Sequence, residues 1–108
     1  MDMETKKLII LLLAALLVVT FASEAQAKTY TVSIKNMAFE PKGLTISAGD
    51  TVTWTNNDPM LHDVDLDNLG KSPEMSKGQT YSKTFDRPGT YGYDCDIHPS
   101  MTGKIIVK

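Results

Sequence analysis

Residues 90–101 read TYGYDCDIHPSM. Tyr91, Tyr93 and Cys95 alternate with Gly92 and Asp94, a period of two that puts three side chains on one face of a β-strand. Beyond Cys95 the alternation stops, and Cys95, His98 and Met101 follow at the spacing C-x2-H-x2-M. A thiol, an imidazole and a thioether thus share one short loop at a strand end. Alone, an unpaired Cys is commonly a small buried hydrophobe and a Met commonly core filling. Together they form most of a ligand set: a thiolate with two imidazoles in a trigonal arrangement and a weak axial Met suits electron-transfer copper. The loop lacks one imidazole. The chain has two histidines and one cysteine, and the other histidine, His62, lies in the alternating run Leu61, His62, Asp63, Val64, Asp65, Leu66. That alternation predicts a strand with His62, Val64 and Leu66 on one face. One metal site built from His62, Cys95, His98 and Met101 accounts for all three residues in short supply.

Outward from this loop the chain reads as short β-branched and aromatic runs separated by turn residues, with no stretch of helical periodicity long enough to compete. The predicted fold is all-β. Tyr30, Val32 and Ile34 alternate with Thr31, Ser33 and Lys35; Phe39, Glu40 and Pro41 interrupt the pattern before Leu44, Thr45 and Ile46 resume it. Ala48, Gly49 and Asp50 make a turn, and residues 51–55 put Val52 and Trp54 inward, with Asn56, Asn57, Asp58 and Pro59 closing that strand. Between Asp67 and Gly78 the composition turns to Asn, Gly, Ser, Pro and Lys, as expected of a surface connection that joins the two sheets of a Greek-key sandwich. Tyr81 and Phe85 mark another strand, Arg87, Pro88 and Gly89 a turn, and residues 103–108 a last strand through Ile105, Ile106 and Val107.

Lys6 and Lys7 precede an apolar run over residues 8–22, broken only by Thr20, and Ala25, Gln26 and Ala27 supply an A-x-A site. This is a secretory signal pattern. As a helix the run covers about 22 Å, against a hydrocarbon core of about 30 Å, so an uncleaved anchor over residues 1–27 is the alternative. Residues 28–108 then form one domain near the lower size limit for an adequate core, where a bound metal adds to stability. That part carries nine Lys and Arg against ten Asp and Glu, a balance that gives no footprint for nucleic acid. An exported chain with a single cysteine makes no internal disulfide, and metal ligation protects a thiol otherwise exposed to oxidation. The expected location is the periplasm or the outer face of the cytoplasmic membrane.

The segments GDTVTWTNND, MLHDVDL, RPGTYGYDCDIHPSM and GKIIV, in that order, resemble the cupredoxins, the small blue-copper proteins of the plastocyanin and amicyanin type. The short ligand loop, with Pro99 after the second histidine, is more similar to that of the amicyanins. The resemblance implies a seven- or eight-strand Greek-key sandwich, one copper ion cycling between Cu(I) and Cu(II), His62, Cys95 and His98 as strong ligands and Met101 as the weak axial one. It also implies a monomeric one-electron shuttle between redox protein partners, with no catalytic residues and contact with a membrane only if the leader is retained. Two positions depart from the family pattern. Asp63 stands where Asn is common and Asp96 where Ser or Thr is common; two such carboxylates, if close, would repel or share a proton and tie the reduction potential to pH.

His98 is the expected exit edge for the electron, with Pro59, Met60 and Pro99 as an apolar docking surround, and Asp58, Asp63, Asp65, Asp94 and Asp96 as charges that steer a basic partner. The competing binding function is a copper carrier using the same residues. A multicopper enzyme needs further histidines, and a His-brace oxygenase needs a histidine at the mature N-terminus, where Lys28 is expected. A Cys95–His98 nucleophilic pair lacks an orienting third group. Zinc accepts Cys and His but seldom a thioether, so Met101 in register favours copper.

Overall fold

The computed structural model describes residues 26–108, so the leader expected over residues 1–27 falls outside the described residues except for its last two positions. The described residues form seven strands: β1 (Thr29–Lys35), β2 (Ala38–Glu40), β3 (Gly43–Ile46), β4 (Asp50–Asn56), β5 (Thr80–Phe85), β6 (Gly89–Asp94) and β7 (Thr102–Val107). They make two sheets, β2-β1-β4-β5 and β3-β7-β6. β1 runs parallel to β4 and β3 parallel to β7, while the pairs β1–β2, β4–β5 and β6–β7 are antiparallel. The parallel pairs force the chain to cross between sheets, as a Greek-key sandwich requires.

Alternation decides which side chains meet between the sheets. In β1 Val32 and Ile34 are buried, and in β4 Val52 and Trp54; facing them from the second sheet are Ile46, Tyr93, Ile105 and Val107. Trp54 is fully buried and meets the Tyr93 ring edge-on at 5.3 Å between centroids; Phe39 meets it likewise at 4.7 Å. Burying an aromatic residue of this size contributes several kcal/mol, and truncating one costs about 3–5 kcal/mol. Tyr93 fits because its cross-strand partner is Gly103, where a Cβ would overlap the Tyr93 ring.

Three expectations are corrected. The connection over residues 67–78 does not join the two sheets: β4 before it and β5 after it pair antiparallel within one sheet, so the chain returns to the sheet it left, and the composition that marked a surface loop carried no information on where it leads. The interruption at Phe39, Glu40 and Pro41 contains a strand, β2, joined to β1 by a two-residue turn in which Asn36 and Met37 have φ of 54° and 57°; both central residues at positive φ define the hairpin turn whose twist suits the sheet. Residues 61–66 are not a regular strand. They are held by isolated bridges, His62 to Met75 and Asp65 to both Lys71 and Asp94, and Asp63 is buried along with His62, Val64 and Leu66. Alternation gave the right burial for three residues but missed the fourth, because this segment lies between two loops rather than on the face of a sheet.

Candidate metal centre

The parallel pairing of β1 with β4 sets Ile34 opposite Asn56, so the β1–β2 turn, the end of β4 and the loop after it share one end of the sandwich. β6 brings its own end there, because the Asp65 N–H donates to the Asp94 carbonyl (2.8 Å) and the Asp94 N–H to the Asp65 carbonyl (3.1 Å). His62 is fixed by a similar exchange with Met75: the His62 N–H donates at 3.2 Å and its carbonyl accepts at 2.8 Å. Asn56, fully buried, organises the intervening loop by donating to the carbonyls of Met60 and Met75 and accepting from the Asp58 N–H.

The C-x2-H-x2-M spacing has a backbone cause. The His98 N–H donates to the Cys95 carbonyl (3.1 Å), the Met101 N–H to the His98 carbonyl (2.9 Å), and the Cys95 N–H to the Met101 carbonyl (3.2 Å). Turns repeating every three residues set side chains three apart over one another. Cys95 and Met101 are buried and His98 is half-buried.

The structure brings His62, Cys95 and His98 together. Each imidazole Nδ1 lies 3.8 Å from the Cys95 sulfur, and the two Nδ1 atoms are 3.2 Å apart. Donors about 2.0–2.1 Å (nitrogen) and about 2.3 Å (sulfur) from one ion sit at about such separations from one another, so the three fit a single metal. The fourth residue, Met101, closes the same loop through its backbone. The other ring nitrogen of His62, Nε2, is hydrogen-bonded to Asp58 Oδ2 at 2.8 Å. That hydrogen bond, and a second from the Met37 N–H, hold the Asp58 carboxyl below the usual carboxylate range.

The two departures from the family pattern are resolved without a shared proton. Asp63 Oδ1 accepts from the Asp96 backbone N–H at 2.6 Å, while the Asp96 carboxylate turns to Lys71, 2.6 Å away at the surface. The Asp63 N–H donates to the Cys95 sulfur at 3.4 Å. The Asp63 side chain thus ties the two ligand-bearing segments by accepting alone, which a carboxylate can do. Sequence reasoning placed Asp58 and Asp63 among steering charges; both are buried and spent on internal bonds, which removes them from that role. It read Asn56 only as a strand-closing residue and missed its place in the site. The signal was faint, since Asp58 and His62 are four apart in a loop and no helical period relates them.

A family model described as the cupredoxin-like domain matches residues 8–107. The chain belongs to the cupredoxins. Among cupredoxins it is 42% identical over 93 residues to amicyanin of Paracoccus denitrificans, covering 81% of this chain and 71% of the relative. It is 38% identical over 91 residues to amicyanin-alpha of Methylorubrum extorquens, covering 79% and 76%. With plastocyanin of Scenedesmus fuscus it shares 38% over 86 residues, covering 67% and 88%. A Cu(I) form of an amicyanin mutant superposes with a TM-score of 0.71 at 41% identity, covering 81% of this chain and 88% of that one.

Proposed function

We propose that this cupredoxin carries single electrons between redox proteins outside the cytoplasm, through one copper held by His62, Cys95 and His98 with Met101 as a weak axial ligand. The observation that carries the reading is the convergence of two Nδ1 atoms and one sulfur within 3.8 Å of one another, beside a thioether-bearing loop turn. Bound there, copper supplies a one-electron couple between Cu(I) and Cu(II).

The chain's part is to hold one donor arrangement in both states. His62 is anchored at its backbone by Met75 and at its ring by Asp58, and the Cys95 sulfur by the Asp63 N–H. Such bracing lowers the rearrangement that accompanies each transfer. His98, half-buried while His62 is fully buried, offers the outward edge. Around it Met60, Leu61 and Ile97 are 49%, 46% and 40% exposed, and Pro59 and Pro99 are exposed as well, an apolar surround fit for brief contact with a partner. Asp65, Asp67, Asp94 and Asp96 gather on one flank; burial first, then the charges of Asp65, Asp67, Asp96 and Asp63, push the Asp94 carboxyl upward. That flank favours a partner with basic residues around its redox centre. The chain acts as a monomer, with residues 1–27 as its export leader and residues 28–108 as the working domain.

A copper carrier would use the same donors, and voltammetry separates the two. The copper-loaded domain is expected to show a reversible one-electron wave with fast electrode kinetics. An irreversible wave, with copper lost on reduction, would favour the carrier.

A further inference from the structure

Asp58 is 7% exposed, and its Oδ2 accepts from two donors, the His62 Nε2–H and the Met37 N–H at 3.1 Å. Its own N–H is held by the Asn56 side chain at 2.9 Å. Met37 adopts a left-handed conformation, which is strained for an L-residue with a Cβ, and the bond to Asp58 is what its N–H gains there. The carboxylate is therefore pinned from the β1–β2 turn and from the ring it serves, and the Asp58 backbone from the end of β4. His98 has no side-chain carboxylate partner among the described residues.

We propose that Asp58 is a positioning residue of the metal centre: it fixes the His62 ring with Nδ1 unprotonated and turned to the Cys95 sulfur, and its charge favours the oxidised metal. The inference deepens the copper reading and rests on it. The first part follows because a carboxylate only accepts, so Nε2 must carry a proton, and in the neutral ring that a metal ligand requires this leaves the lone pair on Nδ1. The second follows because a negative charge screened from water stabilises the more positive of two metal states, and a carboxylate on the far nitrogen makes a ligand imidazole a stronger donor.

Three measurements test this. In the metal-free parent protein, nitrogen NMR should show His62 as the Nε2–H form, its ring proton shifted by the carboxylate. Asp58→Asn keeps an oxygen that accepts from Nε2–H but removes the charge, so the tautomer and the thiolate-to-copper absorption should persist. The ratio of Cu(II) to Cu(I) affinity should meanwhile fall about tenfold, a rise in potential of about 59 mV for one electron. Asp58→Ala loses both effects, giving mixed His62 tautomers and copper affinity lower by about 10- to 100-fold. An Nδ1–H tautomer in the parent, or an Asp58→Asn couple at the parent's potential, overturns the proposal even if Asp58→Ala does not fold. A parent that never develops the thiolate-to-copper band overturns the copper reading instead.

Discussion

At the scale of single residues, Asp63 shows how a carboxylate can replace an amide without breaking a site. It accepts from the Asp96 N–H and leaves the Asp96 side chain free to pair with Lys71. Asp63→Asn should keep that acceptor and leave thermal stability nearly unchanged, whereas Asp63→Ala strands a backbone donor beside Cys95. The Ala variant should lose about 1–3 kcal/mol in thermal or denaturant unfolding; equal stability of the two variants would contradict the role given to this bond. The spacing of Cys95, His98 and Met101 made the loop legible in the sequence, since those residue types rarely meet by chance in a chain with one Cys and two His. Asp58 and Asn56 were not legible as site residues, because their importance comes from which atoms a loop brings near, and no periodicity encodes that.

At the scale of elements, β6 and β7 position the ligand loop through the pairing of Tyr93 with Gly103. Gly103→Ala would drive a methyl into the Tyr93 ring, two residues before Cys95. Overpacking of this kind costs about 1–3 kcal/mol, which for a domain of this size lowers Tm by about 4–8 °C per kcal/mol; differential scanning calorimetry would show it. A second element-level prediction concerns the turn before β4. Asp50 accepts from the Lys28 N–H at 2.8 Å and the Ser47 N–H at 2.9 Å, and these bonds hold its carboxyl below the ordinary range. A carboxyl depressed on folding adds stability above its unfolded pKa and loses it as pH falls through the folded value. Asp50→Asn should therefore destabilise at neutral pH and flatten the acid limb of unfolding; an unchanged acid limb would contradict this. The strands themselves were readable from alternation in β1, β4 and β6, whose inward residues recur every second position. The three-residue β2 was not, since it offers a single buried residue, Phe39, too short a run to show a period.

At the scale of the whole molecule, the two sheets close over a core that keeps one phenol from water. Burial pushes the Tyr93 hydroxyl up to about 12, slightly offset by the nearby Trp54 indole, although neither the Tyr93 hydroxyl nor the Trp54 N–H has a hydrogen bond of good geometry. A pKa raised on folding means stability is intact below the unfolded value of about 10 and falls as pH rises toward 12. Ultraviolet titration should show one late phenol whose ionisation accompanies unfolding, and Tyr93→Phe should abolish it. The metal is the second global term. Three of the four proposed ligands come from one loop and the fourth from a segment 33 residues earlier than Cys95, so binding joins distant parts of the chain. Ligand at about 100 times Kd stabilises by about 2.7 kcal/mol, and chelation should lower Tm by about 10 °C or more.

The most direct test of one thiolate and two imidazoles meeting at a single ion is the visible absorption spectrum of the purified domain with Cu(II) added. The parent should turn intensely coloured through a thiolate-to-copper band, and Cys95→Ser should remain colourless at the same copper occupancy. A parent without that band, or a Cys95→Ser variant that retains it, would contradict the account.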